Sequence, residues 1–193
     1  MEWINSIISY KTFNEQEEKD KEIILKCIKT FEDVLTRNNE IVHMTSSAFV
    51  INKKRDKVLM IHHNIYNSWS WTGGHCDGDA DLLKVAIKEL EEETGVTDIK
   101  VLVPNIFSLD VLQVKSHIKK GKYVAPHLHL SSAYLLEANE EQELVVKEDE
   151  NSGVKWIELD KLEEYTTNEP HMQKLYSKFI EKINLIDIGY FLK

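Results

Sequence analysis

Apolar residues recur every three or four positions in three stretches of this chain and run in short unbroken blocks elsewhere. Over residues 15–37, Ile23, Ile24, Cys27, Ile28, Phe31, Val34 and Leu35 keep helical spacing with charges between them, and Asn38 and Asn39 end the helix. Residues 43–52 and 57–63 are short apolar blocks around the polar turn KKRD, which predicts a strand pair. Residues 64–81 have no apolar period and are rich in Gly, Asp, Asn and Ser, so they read as a long functional loop. On a helix over 82–94, Leu83, Ala86, Ile87 and Leu90 form one stripe, with Asp79 or Asp81 as cap and Gly95 as stop. Residues 99–114 and 125–138 predict two longer strands with KKGK (119–122) in the turn between them, and 154–159 a short one. Met172, Leu175, Tyr176, Phe179, Ile180 and Ile183 mark a last amphipathic helix over 170–183, with Pro170 in its first turn. Strands interspersed with few helices in this order predict a mixed sheet covered by helices.

The length, 193 residues, suits one domain with additions. A formal charge of −9 disfavours binding to nucleic acid polymers or anionic membranes, which attract Lys and Arg. Anionic small molecules remain accessible through a divalent cation. Two cysteines, Cys27 and Cys76, cannot build a disulfide framework, so a reducing cytoplasmic setting is expected. No apolar run is long enough for a membrane span, and the first residues lack the pattern of a secretory signal.

The helix over 82–94 carries the chemistry. Glu89, Glu92 and Glu93 lie at i, i+3 and i+4, opposite the apolar stripe. They repel one another and sit where the helix dipole disfavours negative charge, and no Lys follows any of them at i+4. A hard, oxygen-loving cation such as Mg²⁺ relieves the repulsion. A solvated acidic face is the alternative.

Residues 73–96, GGHCDGDADLLKVAIKELEEETGV, resemble the Nudix box, G-x5-E-x7-R-E-U-x-E-E-x-G-U with U aliphatic. Gly74, Glu89, Leu90, Glu92, Glu93, Gly95 and Val96 match in register. Ala80 stands in place of the early Glu, Lys88 in place of Arg, and Thr72 where Pro is usual. The softened pair leaves Lys88 to reach water or Asp77, Asp79 or Asp81. The resemblance covers about residues 43–160. It implies an α/β fold, a Nudix-type α/β/α sandwich with a mixed sheet and added N-terminal and C-terminal helices. It divides the chain into a helical extension (1–40), a Nudix domain (41–163) and a C-terminal helix packed on it (164–193).

For function, the resemblance implies a Mg²⁺-dependent hydrolase of a nucleoside diphosphate linked to another group, with Mn²⁺ as the alternative ion. Glu89, Glu93 and the Gly73 carbonyl would be metal ligands. Glu92 would complete the shell through water or serve as general base. The loop 145–156 offers further bases: Glu150 first, Glu148 second, then Asp149. Gly74 and Trp69 belong to the substrate side by the same resemblance, with a small nucleotide or other diphosphate as partner.

Other residues are read directly. His127 and His129 are two apart on a strand and share a face; with His75 they line the substrate cleft, hold a second metal, or form a plain polar face. Trp69, Trp71 and Tyr66 stack a base or pack in the core. The helix over 15–37 either serves a homodimer or packs on its own domain. Two readings compete with hydrolysis. A degenerate nucleotide-binding domain is motivated by Ala80 and Lys88. An isomerase of the isopentenyl diphosphate type would need an early-strand Cys that 43–52 lacks.

Overall fold

The computed structural model describes residues 1–119 and 121–187. In chain order the helices are α1 (Glu2–Ser9), α2 (Glu15–Thr30), α3 (Leu82–Thr94), α4 (Leu162–Tyr165) and α5 (Pro170–Asp187). The strands are β1 (Val42–Asn52), β2 (Lys57–His63), β3 (Ser68–Ser70), β4 (Thr72–His75), β5 (Ile99–Val101), β6 (Ser108–Val114), β7 (His117–Lys119), β8 (Lys122–Val124), β9 (His127–Ala138) and β10 (Asn151–Glu158).

β1 is the spine. It runs parallel to β9 from Val42↔Leu128 to Asn52↔Ala138 and antiparallel to β2 at Ile51↔Val58. The sheet order is β10-β2-β1-β9-β5, with β3 on β2, β4 on β1 and β6 on β9, so the orientation is mixed. β7 and β8 form a separate hairpin. Among the described residues no helix is long and apolar enough to cross a membrane.

Alternation along the spine assigns each face its partner. Val42, Met44, Ala48 and Val50 of β1 and Leu130, Tyr134 and Leu136 of β9 join a core with Val85, Ala86 and Leu90 of α3. Trp3 and Ile7 of α1 and Ile24 of α2 close that core from the outside. On the opposite face Phe49, Ile51, Ala133 and Leu135 pack under Met172, Leu175, Tyr176 and Phe179 of α5. Farther along this second face the same alternation places His43, Thr45 and Ser47 in β1 and His127 and His129 in β9; these polar side chains line a cleft.

Several elements differ from the sequence expectation. The N-terminal helix stops at Thr30, and Phe31 turns to extended backbone. Residues 31–41 then fold back, with the Met44 N–H donating to the Val34 carbonyl and the Asn39 side chain accepting from the Ile41 and Val42 N–H groups. Val34 and Leu35 keep their place in the core without being helical. A helix not expected, α1, precedes it. The 64–81 segment contains β3 and β4. The 99–114 run breaks around Pro104, which has no N–H for the ladder, and resumes as β6. The turn expected at 119–122 lies in the β7–β8 hairpin, with its Lys120 outside the described residues. The end of the expected C-terminal segment, 188–193, is also outside them.

The terminal helices are stitched together by buried charge. Glu17 in α2 accepts from Lys182 in α5 (3.0 Å), the Ser108 hydroxyl (2.9 Å) and the Phe13 N–H (2.8 Å). Lys178 lies 3.2 Å from Glu17 and 2.5 Å from Asp110 in β6. Lys182 also donates to the Tyr10 hydroxyl (2.8 Å) and to the Phe107 carbonyl. Burial alone would raise the Glu17 pKa, but Lys182 and Lys178, with hydrogen bonds from the Tyr10 hydroxyl and the Phe13 N–H, together outweigh it and hold the carboxyl below its usual range. Helix α2 thus packs on its own domain.

Candidate active site

The site grows from the meeting of β4 with α3. Gly73 pairs with Ser47 and Gly74 with Ser46 across β1. A Cβ on Gly73 would strike Ser47, and one on Gly74 would strike the Glu89 carboxylate. Gly73 is therefore required by its close approach to the Ser47 backbone, whereas a side chain at Gly74 would have to displace the end of the flexible Glu89 side chain. Asp81 caps α3 by accepting from the Lys84 N–H (3.1 Å), and Gly95 ends it in the left-handed region at φ 74°. The helix is thereby fixed so that its last turn faces the glycines.

Three carboxylates result, in different settings. Glu93 is buried and accepts from the Gly73 N–H at 3.0 Å. Burial, together with repulsion from Glu89 and Glu150, pushes its pKa up to about 8 despite that hydrogen bond. Glu89 is also raised, chiefly by burial. Glu92 is exposed and lowered, first by its hydrogen bond from Lys88. Lys88 stands four residues before Glu92 and pairs with it at 2.9 Å, and with Glu89 at 3.4 Å. It pairs with these two glutamates and not with Asp77, Asp79 or Asp81, the partners the sequence offered. Asp79 is taken by Lys84 (2.9 Å) and Asp77 by Arg37. Lys147 adds contacts to Glu92 (3.4 Å) and Glu150 (3.1 Å).

The three carboxylates, Lys88, Lys147 and Glu150 line a cleft of about 780 Å³. Of the residues singled out from sequence, it gathers Gly73, Gly74, His75, Glu89, Glu92, Glu93, His127, His129, Asp149 and Glu150. Glu148 is exposed and off the lining. Trp69 is also off it, with its ring against His62 (5.4 Å between centroids) and Tyr165 (6.2 Å). Trp71 and Tyr66 do line it. Arg37, Lys88, Lys119 and Lys147 bring positive charge to an otherwise acidic chain.

His43 was missed by sequence reading. It pairs across the ladder with His129, two residues from the Thr45↔His75 pair, so three strands bring their imidazoles together. The signal was present as polar alternation, His43-x-Thr45-x-Ser47, inside a buried strand. Burial lowers the pKa of His43, of His75 to about 3 and of His129 to about 2, so these rings are neutral at pH 7.

The family model of the NUDIX domain matches residues 42–179, and the chain belongs to this family. Its fold is that of solved Nudix hydrolases. A C. elegans Ap4A hydrolase complex aligns at 19% identity and TM-score 0.54, covering 76% of this chain and 98% of that one. A Nudix-family hydrolase from Clostridium perfringens aligns at 17% and 0.53, covering 75% and 97%. A Nudix hydrolase from M. smegmatis aligns at 13% and 0.54, covering 75% and 87%. No curated protein sequence matches the chain.

Proposed function

We propose that this Nudix protein is a Mg²⁺-dependent hydrolase that cleaves the diphosphate linkage of a nucleoside diphosphate joined to another group. The observation that carries the reading is Glu93: a buried carboxylate, bonded to the Gly73 N–H and crowded by Glu89 in the cleft. Such a carboxylate is costly to ionise without a cation, and all-oxygen donors suit Mg²⁺, with Mn²⁺ as the alternative. Glu89, Glu93 and the Gly73 carbonyl are assigned as ligands, with Glu92 completing the shell through water or acting as base. Bound there, the ion supplies positive charge to the phosphoryl oxygens as their charge grows.

The chain's own groups do the rest. Glu150 lines the cleft and is assigned to take the proton of the attacking water, ahead of the exposed Glu148. Gly74, His75, His127 and His129 are assigned to the substrate side, with Tyr66 as the stacking surface in the lining. Trp69, whose ring lies off the lining against His62 and Tyr165, is given no direct contact with the substrate. The free thiols of Cys27 and Cys76 accord with a cytoplasmic setting.

The alternative is a domain that binds a nucleotide without cleaving it. It is favoured by Lys88, whose ammonium stands against Glu89 and Glu92 and competes with a cation there. A panel of nucleoside triphosphates, dinucleoside polyphosphates and nucleotide sugars, assayed with Mg²⁺ or Mn²⁺ for phosphate and nucleotide release, separates the two. Metal-dependent release supports the hydrolase and names its substrate. Binding by thermal shift with no release across the panel supports the binding domain.

A further inference from the structure

Four imidazoles from three strands converge in the cleft apart from the carboxylate set. The His43 ring centroid lies 5.0 Å from those of His75 and His129 and 4.9 Å from that of His127. One ligand atom from each of His43, His75 and His129 lies within 4.8 Å of the others. His43 is only 4% exposed, and its Nε2 has no hydrogen-bond partner among the described residues. Its Nδ1 sits 2.9 Å from the Asn39 carbonyl, which can only accept, so Nδ1 carries the proton and Nε2 holds a bare lone pair. A buried nitrogen of this kind is costly unless something fills the space it faces. An imidazole whose far N–H is fixed by a backbone carbonyl is the arrangement that orients metal-binding histidines. His127 is fixed in the same way, with its Nδ1 2.9 Å from the Ala125 carbonyl.

We propose that His43, His75 and His129 bind a borderline transition-metal ion, Zn²⁺ first, with His127 as the adjoining fourth imidazole. Nitrogen-only donors select this class of ion, whereas the carboxylates of α3 suit a hard one. Two nitrogens on one tetrahedral Zn²⁺ stand about 3.3 Å apart, from bond lengths of about 2.0–2.1 Å. The Nε2 atoms of His127 and His129 stand 3.2 Å apart in a hydrogen bond, with His127 Nε2 accepting, and an ion on His129 would replace that proton. The ligand atoms of His43, His75 and His129, within 4.8 Å of one another, reach that spacing by side-chain rotation. Three imidazole ligands leave a coordination position for water or an anionic oxygen, so the site gives the cleft a second means of holding a phosphate. The inference is independent of hydrolysis, since metal binding is read directly.

The test is titration of the metal-stripped protein with Co²⁺, followed by visible absorption, and with Zn²⁺ by calorimetry. The expected result is one tetrahedral, nitrogen-bound Co²⁺ per chain, identified by its intense bands and retained in the Glu89→Gln/Glu93→Gln variant. His75→Asn and His129→Asn should each weaken binding roughly 100-fold or more. Both histidines are partly exposed, and circular dichroism checks that the variants fold. The wild-type and carboxylate-variant spectra decide the matter even if neither histidine variant folds. Absence of the tetrahedral bands in wild type, or their loss in the Glu89→Gln/Glu93→Gln variant, would overturn the proposal. So would wild-type affinity in both folded histidine variants.

Discussion

The backbone N–H of Gly73 donates to the Glu93 carboxylate at 3.0 Å, tying the glycine strand to the last turn of the acidic helix. This bond joins two segments that the sequence separates by 20 residues. It holds a carboxylate in a buried place where its charge is disfavoured. The expected chemistry follows from that conflict.

The first prediction concerns protons. Glu93 keeps its proton up to about pH 8, whereas an unfolded Glu loses it near 4.5. Between those values the folded state binds more protons, so Glu93 makes the metal-free protein less stable as pH rises across that window. Mg²⁺ binding must displace the proton. Calorimetry in buffers of different ionisation enthalpy should detect proton release at pH 7, and affinity should climb as pH rises toward 8. Affinity independent of pH over this range would contradict the assignment.

Gly74 tests the close approach. Its backbone is an ordinary extended strand, so alanine is acceptable locally, but the added Cβ meets the Glu89 carboxylate. Gly74→Ala should fold and lose roughly 100-fold in kcat/KM through displacement of Glu89. Unchanged turnover would mean that Glu89 does not need its present position.

The buried charge network makes a prediction about stability. Lys182→Met strands Glu17, which is fully buried, and should cost about 3 kcal/mol in urea unfolding. The loss stays near the low end of the roughly 3–5 kcal/mol that breaking a buried pair costs, because Lys178 remains 3.2 Å from Glu17. Glu17→Gln together with Lys182→Met should be markedly more stable than the sum of the single changes implies. Additive losses would show that the two groups are not coupled.

The local part of the site was legible in the sequence, and the assembled part only in the grouping of His75 with His127 and His129. The acidic triad, the double glycine and both caps of α3 lie within residues 73–96, where helical period and turn chemistry act over a few positions. β3 and β4 escaped because their short polar sequences, SWS and TGGH, derive their strand geometry from pairing with β2 and β1. The Glu17–Lys182 pair spans 165 residues, so Glu17 read as one more surface charge. Two signals were present and unused. Lys178 and Lys182 fall at i, i+4 beside the apolar stripe of α5, and Trp3, Ile4 and Ile7 keep helical spacing at the start of the chain. Among the loop carboxylates, which the sequence ranked with Glu150 ahead of Glu148, the cleft lining includes Asp149 and Glu150 but not Glu148.

The central claim is tested most directly by Glu93→Gln beside wild type, on the best substrate of the panel, with Mg²⁺ and with Mn²⁺. The variant keeps an acceptor for the Gly73 N–H and removes the ionisable oxygen. It should retain the fold, lose metal affinity and fall in kcat by roughly 1000-fold, the scale of a lost electrostatic contact in the transition state. Turnover in Glu93→Gln equal to wild type would contradict the account.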